Sequence, residues 1–177
     1  MGLEDWITGL VDGEGCFSVT IREEKRRGRK TRTGFQVTPY FFIQMSIKEY
    51  GTLLLVKRGL GNIGRVVKHK KKPIAKFIVS RFDEVKKVVV FFEKHPLHST
   101  KRKTFEVFKE IIRMMERGEH LTKEGIYKIA LLRDKMNLTY NNKKQPFVRK
   151  IYHNAEWVRK RLRIWDGGAV SPANQQR

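Results

Sequence analysis

The sequence has few of the features that mark disulfide-bonded, zinc-binding or membrane proteins. Its 177 residues include a single cysteine, Cys16, which excludes intrachain disulfides and cysteine-rich zinc sites. The apolar runs, such as residues 88–92, are far shorter than the roughly 20 residues that span a bilayer. The N-terminus has neither a basic start nor a long apolar segment, so we expect no signal peptide and an intracellular protein without a membrane partner.

Acidic residues are also scarce relative to basic ones. The chain carries 39 lysines and arginines against 18 aspartates and glutamates, a formal net charge of +21. Such an excess indicates a polyanionic partner. A lipid surface would call for one amphipathic basic helix, whereas the charge here is spread over several segments. The length and a hydrophobic content of 40% predict a single domain with its own core.

The most informative stretch is residues 6–15, which we predict to be a short helix. Gly9 and Gly13 stand one turn apart and form a strip without side chains, which permits another backbone to approach closely. The apolar residues recur at the spacing of a helix that is anchored in a core. These apolar residues are Trp6, Ile7, Leu10 and Val11.

The last turn of this helix carries two carboxylates, Asp12 and Glu14. Acid is unfavourable at a helix C-terminus because it faces the negative end of the dipole. A divalent cation would reverse that penalty, since hard cations bind carboxylate and carbonyl oxygens together. An ordinary amphipathic helix with a glycine-rich end would explain the glycines, the apolar spacing or the carboxylates if each were considered alone. Their combination within ten residues favours a functional site.

Residues 7–15 resemble the LAGLIDADG motif of homing endonucleases, and the resemblance extends over roughly residues 4–135. Thr8 stands at the usual alanine, Gly13 at the next small position and Glu14 at the usual final aspartate. The resemblance implies an α+β fold, an αββαββ core whose four-stranded antiparallel sheet binds DNA, with further C-terminal helices. A single motif copy implies a homodimer. The expected dimer interface contains Gly9, Gly13, Trp6 and Asp12.

Hydrophobic periodicity along the chain agrees with that order of elements. Alternation predicts four strands, at 16–24, 34–47, 62–72 and 74–81. Helical spacing predicts helices at 48–60, 83–94, 97–117 and 123–136. We divide the chain into a core domain, 1–137, and a basic C-terminal extension, 138–177, with a helix at about 151–165 and a disordered tail. The tryptophans of that helix suit either packing onto the domain or an arm on DNA.

One face of the long second strand carries amide and hydroxyl groups at every other position. Any half-exposed antiparallel sheet shows such a face. The same face suits hydrogen bonding to base edges in a major groove, where glutamine can pair with adenine. The expected DNA-binding residues lie on this face, on the polar side of the first strand, in a basic loop at 25–33 and in the later basic segments: Thr20, Arg22, Arg26, Arg29, Lys30, Arg32, Gln36, Thr38, Tyr40, Gln44, Lys68, Lys70, Lys76 and Lys103.

Divalent metals can activate a nucleophile, neutralise a phosphate and help the leaving oxygen. We therefore expect Glu14 to be a metal ligand, with the backbone carbonyl of Gly13, and Mg²⁺ to be the metal, other divalent cations such as Mn²⁺ being possible. The resemblance implies a lysine and a late polar residue of the second strand in the catalytic site. Lys101 and Gln44 match these positions, with Lys103 as a second choice for the lysine. Asp12 better suits a structural role that braces the helix ends.

These features predict a DNA-associated, site-specific homing endonuclease. It would make a metal-dependent double-strand break in a long pseudo-palindromic site of double-stranded DNA. Two other functions use the same fold and charge. One is an RNA maturase, which would bind RNA and help its intron to splice. The other is a non-catalytic DNA-binding protein. Retention of an acid at Glu14 favours the enzyme.

Overall fold

The computed structural model describes residues 2–24, 33–138 and 154–163. The described elements begin with a helix and a long β-hairpin and end with helices. In chain order they are α1 (Leu3–Glu14), β1 (Gly15–Glu23), β2 (Phe35–Ser46), α2 (Tyr50–Gly59), β3 (Arg65–Lys68), β4 (Ile74–Val79), α3 (Phe82–Lys94), α4 (Lys101–Glu116), α5 (Lys123–Leu138) and α6 (Ala155–Leu162). Short 3-10 turns, Ile47–Glu49 and Glu119–Leu121, precede α2 and α5. The α+β class and the αββαββ order are confirmed.

The four strands form one sheet in the order β1-β2-β4-β3, and every neighbouring pair is antiparallel. Strict alternation along β2 sends its odd-numbered residues, such as Phe41, into the core and its even-numbered residues to the opposite face. The register places Cys16 opposite Phe42, and Phe42 opposite Ile78. The predicted four-stranded antiparallel sheet is therefore confirmed.

The core lies between the sheet and the helices and is rich in phenylalanine. The ring of Phe17, on β1, lies with its centroid between 5.1 and 5.7 Å from four other rings. Ile7 and Val11 seat α1 in the same core with no exposed surface. This anchoring fixes the C-terminal end of α1 at the start of β1. The four rings around Phe17 are Phe41, Phe92, Phe105 and Phe108.

Two predicted elements are much shorter than expected. The third strand, predicted at 62–72, spans only Arg65–Lys68, because the next residues form a turn. In that turn Nδ1 of His69 accepts hydrogen bonds from the backbone N–H groups of Lys71 and Lys72, both at 3.1 Å. The helix predicted at 97–117 spans Lys101–Glu116, since the residues before it bond to α1 instead.

The C-terminal helix, predicted at about 151–165, is described as Ala155–Leu162. Oδ1 of Asn154 caps its first turn by accepting a hydrogen bond from the Trp157 N–H at 2.9 Å. The Trp157 ring packs edge-on against Phe35 with centroids 6.0 Å apart, and the Arg161 guanidinium contacts the Glu23 carboxylate. This part of the helix therefore packs onto the domain. The predicted disordered tail and residues 25–32 of the basic loop predicted at 25–33 lie outside the described residues.

Within the described ranges, no helix combines the length and the apolar character needed to cross a bilayer.

Candidate active site

The candidate site lies where α1 ends and β1 begins. Glu14 is the last residue of α1, and its side chain is exposed beside the first residue of the sheet. Gly15 follows with an extended backbone, and a Cβ there would lie 2.5 Å from the Val11 side chain. Only glycine leaves room for this abrupt exit from the helix. The close fit to Val11 fixes where the Glu14 carboxylate stands relative to the sheet.

Asp12 binds the segment that leads into α4. Its Oδ2 accepts a hydrogen bond from the backbone N–H of His98 at 2.9 Å. Its Oδ1 accepts from the N–H and the hydroxyl of Ser99, at 3.1 and 2.7 Å. Burial opposes ionisation, yet these hydrogen bonds together hold the pKa of Asp12 below its ordinary value. Asp12 therefore braces two helix ends, as the sequence indicated.

Lys101, the first residue of α4, reaches the end of α1. Its Nζ donates a hydrogen bond to the carbonyl oxygen of Gly13 at 3.0 Å. Burial lowers the pKa of the Lys101 ammonium, and the nearby Cys16, Asp12 and Glu14 offset part of that shift. The structure thus brings Lys101 and Glu14, two of the three predicted catalytic residues, to the same place.

Gln44, the third predicted catalytic residue, lies on β2 at the same end of the hairpin. The β1–β2 register pairs Gly15, the residue after Glu14, with Ile43, the residue before Gln44. The Gln44 side chain is exposed on the sheet face that points away from the helices. On its other side Gln44 pairs with Lys76 of β4. The sheet therefore carries an amide and an ammonium on neighbouring strands, at the end of the hairpin where β1 begins.

Cys16 is a neighbour of the site that the sequence did not single out. Its thiol is partly buried, and burial raises its pKa while the nearby Lys101 and Lys76 oppose the rise. Burial also lowers the pKa of Lys76, with Cys16 opposing. Both ammonium groups therefore lie near one sulfur atom. Ser99 was missed as well, because its role depends on a contact with a residue 87 positions away.

The other predicted DNA-binding residues occupy several environments. The side chains of Arg22 and Gln36 are exposed at the far end of the β-hairpin from Glu14. Thr20 is buried, and its hydroxyl donates to the Thr38 carbonyl at 3.3 Å. The remaining residues that the structure describes lie on β2, β3, the turn after β3, and α4: Thr38, Tyr40, Lys68, Lys70 and Lys103. Arg26, Arg29, Lys30 and Arg32 lie outside the described residues.

The oxygen atoms at this site could provide some of the ligands of a bound cation. Glu14 supplies a carboxylate and Gly13 a carbonyl oxygen, both of which are oxygen donors that hard cations accept. Asp12 is already engaged by His98 and Ser99. Residues 2–24, 33–138 and 154–163 contain no group of three or more histidine, cysteine or acidic side chains that could hold a metal. Among the described residues, Glu14 is therefore the accessible carboxylate that one chain offers at this place.

The outward face of α1 leaves the strip of small residues open. A Cβ added at Gly9 or Gly13 would meet no atom within 4 Å, and both glycines are exposed. Trp6 and Leu10 flank the strip and are only partly buried. A flat surface of backbone bordered by apolar side chains is suited to close packing against a second helix.

Known proteins match both the sequence and the fold. The family described as LAGLIDADG endonuclease matches residues 7–112. The homing endonuclease I-TnaI is 36% identical, with a TM-score of 0.73 over 90% of this chain and 95% of that one. The archaeal intron-encoded homing endonuclease I-Vdi141I, in complex with DNA, is 27% identical, with a TM-score of 0.75 over 92% of this chain and 96% of its own.

This fold belongs to the LAGLIDADG class. It has the motif-bearing helix α1, the four-stranded antiparallel sheet, and Lys101 beside the end of α1. The chain belongs to the LAGLIDADG endonuclease family, as its sequence indicated. A curated relative, Probable intron-encoded endonuclease 2 of Neurospora crassa, is 32% identical over 133 residues, which are 75% of this chain and 28% of the relative. The chain spans about a quarter of the length of the curated relatives that it matches.

Proposed function

We propose that this protein is a site-specific endonuclease that cuts both strands of a long, pseudo-palindromic duplex DNA site with the help of Mg²⁺. The observation that carries the proposal is the meeting of Glu14 and Lys101 at the end of α1. An exposed carboxylate beside a partly desolvated ammonium is suited to hold a cation and to neutralise a phosphate. Family membership and the solved relatives support the same reaction.

The side chains around Glu14 divide the work of phosphodiester hydrolysis. Glu14 and the Gly13 carbonyl would hold the cation, which when bound supplies charge neutralisation and an activated water. The Lys101 ammonium would stabilise charge that develops on the phosphate. The Gln44 amide would orient the attacking water or a phosphate oxygen by hydrogen bonding. In the structure Lys101 occupies one side of the Gly13 carbonyl, so a cation would share that oxygen or displace the lysine.

A single chain supplies half of such a site. The part of the chain that the structure describes offers Glu14 as the accessible carboxylate at the end of α1, whereas a double-strand break needs a reaction on each strand. The open strip at Gly9 and Gly13 supports pairing of α1 with α1 of a second copy. An isologous contact of this kind would bring two Glu14 carboxylates close to the two-fold axis. We therefore propose a homodimer whose symmetry matches a pseudo-palindromic site.

The charge and the shape of the sheet support duplex DNA as the substrate. The face that points away from the helices carries the amides and hydroxyls of Gln36, Thr38 and Gln44. With a rise of about 3.3 Å per residue, the 12 residues of β2 span about 40 Å, which is close to one turn of duplex. The net charge of +21 would favour binding to the phosphate backbone.

The decisive experiment is selection of cleaved molecules from a randomised duplex library in the presence of Mg²⁺. The wild-type protein is compared with Glu14→Gln, which preserves size while removing the charge. We expect the wild type alone to yield a defined cut site, while the variant still binds that site. Cutting by both proteins at the same rate would refute the role of Glu14. Tight binding of DNA by both proteins, with no cut by either, would favour the non-catalytic DNA-binding function, and a preference for intron RNA would favour the maturase.

A further inference from the structure

An apolar row crosses the sheet face that otherwise carries polar groups. Cys16, Phe42 and Ile78 stand opposite one another on three neighbouring strands. All three are partly exposed, while their strand neighbours Phe41 and Phe77 are fully buried on the other face. The three side chains therefore belong to the outward face and not to the core.

Two contacts fix the position of the Phe42 ring within this row. Tyr40 stacks on it, with centroids 5.8 Å apart and an interplanar angle of 21°. On another side the Lys76 ammonium lies 3.5 Å from the centre of the Phe42 ring. The ring is therefore held in place by its neighbours. An aromatic surface held in this way is a preformed contact surface, since little side-chain freedom is lost on binding.

In the major groove, the thymine 5-methyl group is the one group on the base edges that an apolar side chain can recognise. Guanine, adenine and cytosine present donors and acceptors there, whereas thymine also presents its 5-methyl group. A partly exposed phenylalanine on a groove-facing strand cannot satisfy the polar edges, and it would desolvate them without compensation. The same side chain gains from burying a methyl group.

We propose that the Cys16–Phe42–Ile78 row selects thymine by contact with its 5-methyl group. This inference rests on the proposed function of the sheet as a DNA-binding surface. Phe42 is two residues along β2 from Gln44, a separation of about 7 Å. With about 3.4 Å of rise for each base pair, the selected thymine lies about two base pairs from the base pair that faces Gln44.

The test uses the duplex site recovered by the library selection, with each thymine replaced in turn by deoxyuridine, which lacks only the methyl group. Dissociation constants are measured for the wild type and for Phe42→Ser and Phe42→Leu. For the wild type we expect about four-fold weaker binding at one thymine of each half-site, the factor that corresponds to one buried methyl group. Phe42→Ser should abolish this discrimination, whereas Phe42→Leu should retain most of it.

Val90→Ser is the matched control, because Val90 is an apolar residue with 49% of its surface exposed on α3. It should leave the discrimination between thymine and deoxyuridine unchanged. If Phe42→Ser fails to fold, as judged by circular dichroism, Ile78→Thr replaces it with the same expectation. Equal affinity of the wild type for every deoxyuridine duplex would overturn the inference and leave the proposed nuclease intact. A wild type that binds no DNA would overturn both.

Discussion

The Nζ of Lys101 lies 3.0 Å from the carbonyl oxygen of Gly13, so the first residue of α4 contacts the last turn of α1. Only Gly13 separates Asp12, which holds the α4 segment, from Glu14, which ends the helix. The residue that braces the helices and the proposed metal ligands therefore lie within the three consecutive residues 12–14. The arrangement explains how a lysine distant in sequence is kept beside the acid.

Replacing Lys101 by methionine should slow cleavage of bound DNA by roughly 10²- to 10³-fold, the usual cost of losing one preorganised electrostatic contact. Methionine keeps the length of the side chain and removes its charge. Single-turnover cleavage of the recovered site, at saturating protein, measures the effect. Arg102→Met removes a neighbouring exposed charge on α4 and is the control. Equal single-turnover rates for the two variants would argue against a special role for Lys101.

Replacing Asp12 by asparagine should destabilise the fold by roughly 0.5–1.5 kcal/mol at neutral pH, the usual net contribution of one hydrogen bond, because the amide nitrogen cannot accept the bonds that a carboxylate oxygen accepts. The folded pKa of Asp12 lies below its ordinary value of 3.8. Its contribution is therefore present above about pH 4 and is lost as the pH falls through the lower folded pKa. Urea unfolding at pH 7 and at pH 3, followed by circular dichroism, should show a difference between variant and wild type that shrinks on acidification.

Asp83→Asn serves as the comparison for this measurement, because its exposed carboxylate forms a surface ion pair with Lys86 at 3.4 Å. Such a pair contributes about 1 kcal/mol or less. A difference for Asp12→Asn that grows on acidification would contradict the assignment.

Replacing Gly9 by leucine should separate the two subunits of the proposed dimer. The larger side chain would prevent close approach of the helices, at a cost of roughly 1–3 kcal/mol for each copy. Light scattering over a range of concentrations measures the molar mass. Gly51→Leu is a closely matched control, since Gly51 is also an exposed helical glycine with no atom within 4 Å of an added Cβ. Loss of the dimer in the Gly51 variant alone would place the interface elsewhere.

The sequence predicted the sheet well, because alternation along β1 and β2 reports burial directly. It also predicted that Glu14, Lys101 and Gln44 belong together, through the resemblance to a family and not through periodicity. The hydrogen bonds from Ser99 to Asp12 could not be predicted, since they join residues 87 positions apart. The third strand was predicted too long because its basic pattern continues into the turn that His69 stabilises. The sequence pattern of α6 was compatible with packing onto the domain or with binding to DNA. Amphipathicity indicates that one face of a helix is buried, but it does not identify what buries it.

The account depends on two chains that each contribute Glu14 to one double-strand break. Wild-type and Glu14→Gln proteins are mixed in equal amounts, allowed to exchange subunits and added to a plasmid that carries the recovered site. If both subunits must be active, the double-strand cleavage rate at limiting protein should fall to about one quarter of that of the same total amount of wild type, the share of dimers with two intact copies. A fall to one half, in proportion to the wild-type protein present, would contradict the two-chain site.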